Sequence, residues 1–109
     1  MVDETPPVLD RVFYALSNST RRAMLCQLTD GQRSVGDLAA PHAMSLAGAA
    51  KHVRVLEEAG LVARQVRGRV HLVRLQPQAL QQANQWLAFY TRFWNEQLDA
   101  LETLFAEED

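Results

Sequence analysis

The stretch Ser45-Leu46-Ala47-Gly48-Ala49-Ala50-Lys51-His52-Val53-Arg54-Val55-Leu56-Glu57-Glu58-Ala59-Gly60 decides how the rest of the chain is read. Ser45 is a favourable N-cap, Gly60 a favourable stop, and no proline lies between them, so the spacing predicts a helix. Leu46, Ala49, Val53 and Leu56 recur at three- and four-residue steps and are expected on one buried face. The other side carries Ala47, Gly48, Ala50, Lys51, His52 and Arg54, small at its N-terminal end and basic further along. Such a face suits a polyanion, because small side chains let a helix enter a groove while cations meet phosphates. An ordinary amphipathic helix with a solvated basic side has the same pattern, so the neighbours must decide.

Upstream, Ser34-Val35-Gly36-Asp37 reads as a capping box that opens a short helix, which Pro41 closes or bends. A turn over residues 41–44 leads into the basic helix. Two helices joined this way, the second one basic, form a helix-turn-helix over about residues 34–60. Downstream, two β-branched runs flank Arg67-Gly68-Arg69 and predict a hairpin over 61–75 with glycine at its turn. In the second run Val70, Leu72 and Arg74 are expected on one side, and His71, Val73 and Leu75 on the other. The tip carries Arg67 and Arg69, with Arg64 and His71 close behind. A hairpin tip can be charged for solubility alone. No adjacent carboxylate neutralises these arginines, which favours a wing that touches nucleic acid.

The flanks supply the scaffold. Residues 3–7 read as a loose arm, and residues 8–16 as a helix with Val8, Leu9, Val12, Phe13 and Leu16 on a broad apolar stripe. A second helix, over about 20–29, is expected to bury Met24, Leu25 and Leu28, with Cys26 beside them as a small core residue. Arg21 and Arg22 fall in its first turn, where the helix dipole disfavours cations. They point to a nearby anion or acidic partner, or to a solvated turn. Pro77 suits the first position of a long helix over 77–106, roughly 45 Å at 1.5 Å per residue. Leu80, Leu87, Trp94, Leu98, Leu101 and Phe105 form a stripe on it, widened by Trp86, Phe89, Tyr90 and Phe93. So small a core cannot cover that surface, and a second subunit is the natural cover. The expected interface is Val8, Leu9, Val12 and Phe13 with Trp86, Phe93, Trp94, Leu98, Leu101 and Phe105. A ligand pocket built from Trp86, Phe89, Tyr90, Phe93 and Trp94 is the alternative.

Composition sets the bounds. A chain of 109 residues is expected to form a single domain, 1–109. It has no apolar run of the roughly 18 residues that a membrane span requires, and Met1-Val2-Asp3-Glu4 lacks a signal peptide's basic and apolar regions. With one cysteine and therefore no internal disulfide, the chain is expected to be cytoplasmic. The net charge of −2 argues against nucleic acid, but its distribution does not. Residues 45–74 hold six cations against two carboxylates, and residues 77–109 hold one against six. Local field, not net charge, steers a partner. Catalysis has little to work with: no Gly-rich phosphate loop, no Ser–His–Asp or Cys–His set, and no paired carboxylates in an apolar setting, so no enzyme is expected.

Taken as a set, Ala15-Leu16-Ser17-Asn18-Ser19-Thr20-Arg21-Arg22, Ser34-Val35-Gly36-Asp37-Leu38-Ala39, Met44-Ser45-Leu46, Lys51 through Val62 and Arg67-Gly68-Arg69 resemble the ArsR (ArsR/SmtB) family of transcriptional regulators. The resemblance implies a mainly α fold with a β-hairpin wing, a dimeric winged helix-turn-helix of about five helices. It also implies a repressor that pairs through its first and last helices on a near-palindromic double-stranded DNA operator. Ser45, Ala47, Gly48, Ala50, Lys51 and His52 would face base edges. Arg54 would sit on a phosphate, with Arg64, Arg67 and Arg69 on the wing. The family's arsenic and cadmium sensors carry Cys-Val-Cys-Asp where this chain has Ser34-Val35-Gly36-Asp37, so both thiolates are missing. Zinc sensors place Asp and His ligands on the last helix, and residues 77–109 contain no histidine. His42, His52 and His71 have no ligand spacing. The C-terminal aromatic pattern resembles a metal-independent branch, for which no metal and no cofactor are expected. Ala50 stands where family members often have Ser, which removes one hydroxyl contact.

Overall fold

A computed structural model describes residues 7–107. The arm expected over 3–7 therefore lies, apart from Pro7, outside the described residues. Five α-helices, α1 (Pro7–Leu16), α2 (Ser19–Gln27), α3 (Val35–Ala39), α4 (Leu46–Glu58) and α5 (Pro77–Glu107), surround a small sheet of β1 (Arg33–Ser34), β2 (Val62–Arg67) and β3 (Val70–Leu75). The sheet is antiparallel with order β1-β3-β2, and its registers set Ser34 opposite Leu72 and Arg64 opposite Val73.

Local chemistry explains most boundaries. Asn18 caps α2 by accepting from the Arg21 N–H at 3.1 Å. The second helix stops at Gln27, two residues short of the expected end, and one 3-10 turn, Leu28–Asp30, carries the chain on. There the Thr29 hydroxyl donates to the Cys26 carbonyl instead of extending the helix. Ser34 accepts from the Asp37 N–H at 3.0 Å, half of the expected capping box. A 3-10 turn, Ala40–His42, follows α3 and contains Pro41. Ala43 then adopts left-handed backbone angles, φ 50° and ψ 40°, to turn the chain toward α4.

Ser45 caps α4 through the Gly48 N–H at 3.0 Å. Its far end is a Schellman closure: Gly60 N–H donates to the Glu57 carbonyl and Leu61 N–H to that of Leu56, both at 3.0 Å. Gly60 has φ +77°, a left-handed turn conformation that favours glycine, while an added Cβ there would meet Ala79 on α5 only at ordinary contact distance, 3.6 Å. Gly68, with φ +62°, is the first central residue of the two-residue hairpin turn.

The core lies where α1, α2, α3, α4, the sheet and the start of α5 meet. Met24, Leu38, Val53, Leu56, Leu61 and Val73 are fully buried there. Val73 settles the facing of β3: it points inward with half-buried Leu75, while His71 on the same side lies near the tip and is exposed. Several expectations need correction. Leu46 is 63% exposed, because it sits one turn ahead of Ala49 and beyond the edge of the core. Cys26 is exposed, since α2 turns that side outward. Leu9 and Val12 are buried by their own chain, so of the four α1 residues expected at the interface Val8 and Phe13, both half-buried, remain accessible.

The first turns of α5 are anchored through Ala79, Leu80 and Ala83, and Trp86 packs against Phe13 of α1. From Asn84 to Ala106 every residue is exposed. The radius of gyration, 18.9 Å, far exceeds the ~13 Å of a compact chain this long, because that helix stands out from the body.

Candidate nucleic-acid interface

Helix α4 is seated on the core by Ala49, Val53 and Leu56, which turns Ser45, Ala47, Lys51 and Arg54 outward. Gly48 and Ala50 are half-buried beside them. The hairpin runs alongside, and Arg67 and Arg69 sit exposed at its tip. Between α4 and the wing lies an open cleft of about 420 Å³, with Leu46, Ala50 and Val70 as apolar wall and Arg64, Arg69 and His71 as basic rim. Of the sequence-predicted DNA-binding residues, Ala50, Arg64 and Arg69 border this cleft, Lys51 and Arg54 lie beside it with Ala50 and Arg64, and Leu46, assigned to the core by its spacing, joins them.

Two of the expected DNA-binding cations have carboxylate partners. Arg54 donates from Nε to Glu58 at 3.3 Å, an exposed pair one helical turn apart. Arg64 reaches from β2 to Glu57 at 2.8 Å, which straps the wing onto α4. An exposed pair such as Arg54–Glu58 contributes about 0–1 kcal/mol, so it does not prevent a phosphate from taking over the cation, whereas the Arg64–Glu57 pair is part-buried. Among the described residues Lys51, Arg67 and Arg69 form no ion pair.

Arg21 does not belong to a solvated turn, whereas Arg22 beside it is exposed. Arg21 is 7% exposed, and its guanidinium closes the end of α1. Nε donates to the Ala15 carbonyl at 2.8 Å and Nη2 to that of Tyr14 at 3.0 Å. The Tyr14 ring lies 5.2 Å from the guanidinium carbon. Arg22 donates likewise to the Leu16 carbonyl at 2.7 Å. The last carbonyls of a helix lack intrahelical partners, and these two arginines supply them across the α1–α2 corner. The third arm of Arg21, Nη1, stands 3.3 Å from Nδ1 of His52 on α4. Sequence spacing gave no sign of this contact, which joins positions 31 residues apart.

Burial, then the charge of Arg21 and then that of His42, holds the His52 pKa below its ordinary 6.5. The unfolded chain therefore binds the proton more readily, and stability rises with pH through this window. The contribution of His52 is complete above about pH 6.5 and is lost as pH falls from there toward the lower folded value. The urea midpoint of the wild type should drop more between about pH 7.5 and about pH 5.5 than that of His52→Gln. Equal drops would show that His52 is not the group responsible.

The aromatic residues of α5 line up instead of closing around a cavity. Phe13 of α1 packs edge-on against Trp86 at 5.5 Å, and Trp86 lies 4.7 Å from Tyr90. Phe89 and Trp94 remain 63% and 61% exposed. Among the described residues no three histidine, cysteine or carboxylate side chains are grouped to hold a metal ion. No described helix is long and apolar enough to cross a membrane.

A helix-turn-helix domain family matches residues 16–65, from the end of α1 into β2. The HTH-type transcriptional regulator Rv2034 of Mycobacterium tuberculosis is 32% identical over 99 residues, 91% of this chain and 90% of its own. A solved structure of the ArsR family transcriptional regulator RHA00566 superposes with a TM-score of 0.78 at 32% identity, covering 86% of this chain and 97% of that one. The chain belongs to the ArsR family. A third relative, the homodimeric winged helix-turn-helix DNA-binding domain Mb0332 from Mycobacterium bovis, is 27% identical with a TM-score of 0.60, over 84% of this chain and 82% of that one. As an ArsR-family transcriptional regulator, the protein carries its helix-turn-helix in α3 and α4 and its wing in β2 and β3, the winged helix-turn-helix that the sequence implied.

Proposed function

We propose that this ArsR-family regulator is a homodimeric repressor, a single domain that reads a near-palindromic operator with α4 and grips the adjoining backbone with its wing. One observation carries the reading: the groove-sized face of α4, Ser45, Ala47 and Lys51, projects beside a hairpin tip bearing Arg67 and Arg69, with no ion pair among the described residues to neutralise those three cations. Small side chains let the helix approach base edges, and the cations around them replace condensed counterions on phosphates. Gly48 and Ala50 would lie against the groove. Arg54 and Arg64 would exchange Glu58 and Glu57 for phosphates. The relative from Mycobacterium bovis is homodimeric, and the bare apolar stripe of α5 supports the same assembly here.

The test is binding to the DNA upstream of the chain's own gene. A Lys51→Ala/Arg54→Ala double variant should lose about ten- to a hundredfold in affinity and flatten the salt slope by about two units, one for the Arg54 phosphate contact of each protomer. Unchanged affinity and slope would defeat the proposal. The alternative, a ligand pocket built from Trp86, Phe89, Tyr90, Phe93 and Trp94, gains no specific support, because these five rings lie open along a single helix.

A further inference from the structure

Arginine guanidinium is always protonated and can only donate, so Nδ1 of His52, 3.3 Å from Arg21 Nη1, must accept. An imidazole that accepts through Nδ1 is neutral and carries its proton on Nε2. Arg21 is poorly free to change this. It is buried, and its other two arms are tied to the Ala15 and Tyr14 carbonyls at 2.8 and 3.0 Å. His52 sits on α4 between outward-facing Lys51 and core-buried Val53 and is itself half-buried, with its Nδ1 turned to Arg21. No described residue pairs with Nε2.

We infer that Arg21 is a positioning residue for DNA reading: it fixes His52 in the Nε2–H tautomer, so that α4 offers a lone proton donor to the operator at this position. This rests on the proposal that α4 reads bases. A group that can only donate discriminates by chemistry. It accepts guanine O6 or N7, thymine O4 or adenine N7 as partners, and it meets a competing donor at the N4 amine of cytosine. His52 thereby becomes a specificity-determining residue whose orientation is set by the α1–α2 corner. The lowered pKa of His52 agrees with this: burial opposes a second proton on the ring, which would also face the guanidinium of Arg21, with His42 adding a further repulsion.

The tautomer is read on the full chain without DNA. Long-range proton–nitrogen correlation of the labelled protein at neutral pH should show Nε2 protonated and Nδ1 bare; the reverse tautomer, or an even mixture, overturns the assignment. Because Arg21 is buried, replacing it risks the fold, so binding is tested at position 52 itself. His52→Gln keeps an amide N–H near the site of Nε2 and should retain operator affinity within about threefold. His52→Asn, whose amide reaches only as far as Nδ1, should lose about tenfold, the size of one base-edge contact. Equal affinities for the two variants overturn the proposal. A wild-type chain without any sequence preference would defeat the operator reading and the base contact with it, while the correlation spectrum judges the tautomer separately.

Discussion

Leu101→Asp on α5 should convert the protein into a monomer that no longer distinguishes its operator from other DNA. Ten large apolar side chains from Trp86 to Phe105 are each 38–65% exposed in the single chain. Covering half of that stripe on two copies is worth on the order of 10 kcal/mol by area. Association itself costs a similar amount in lost freedom, so complementary packing decides the balance and one misplaced charge can tip it. In a two-fold interface each substitution occurs twice, and an unpaired carboxylate buried among Phe93, Trp94 and Leu98 costs several kcal/mol per copy. Sedimentation at low micromolar concentration should then give 12.3 kDa for the variant and twice that for the wild type. Specific affinity should fall by roughly a hundredfold or more, since a lone α4 cannot span two half-sites about 34 Å apart. A variant that stays dimeric at that concentration would show that Leu101 faces solvent. A wild type already monomeric there would overturn the assembly itself.

The same helix shows what the sequence could reveal. The stripe from Leu80 to Phe105 was legible because nothing interrupts 31 helical residues, and periodicity survives whether a face is buried or bare. Its cover is not legible in one chain, and the structure accordingly leaves it uncovered. On α1 the same logic overreached: Leu9 and Val12 share a stripe with Val8 and Phe13, yet they are absorbed by their own core. Periodicity identifies an apolar face but not which molecule buries it. The caps at Ser45 and Ser34 and the turns at Gly60 and Gly68 were legible because each is a local contest among a few backbone groups. Strand β1 was not, since a two-residue strand exists only through its pairing with Val73 and Leu72. Arg21 was misjudged for a related reason. Cations in a first turn look misplaced until the carbonyls at the end of the preceding helix are brought across the corner.

Leu56 and Leu46 lie on the same predicted stripe of α4, and alanine substitutions should separate them sharply. Leu56 is completely buried among Val53, Leu61 and the other core residues, so Leu56→Ala removes its transfer energy and leaves a cavity, about 2–5 kcal/mol. Against a total stability of about 5–15 kcal/mol, that loss lowers the melting temperature by roughly ten degrees or more. Leu46 is 63% exposed and borders the cleft beneath the wing, so Leu46→Ala should shift stability by no more than about 0.5 kcal/mol. Both variants should be melted at one fixed protein concentration, because any coupling between folding and assembly makes the midpoint concentration-dependent. The contrast matters for the interface as well as for the core. If Leu46→Ala keeps its stability but changes operator affinity, then the N-terminal turn of α4 meets DNA with an apolar side chain that can contact a thymine methyl. Equal destabilisation by the two substitutions would mean that Leu46 packs into the core in solution, and the DNA-facing surface of α4 would then begin at Ala47.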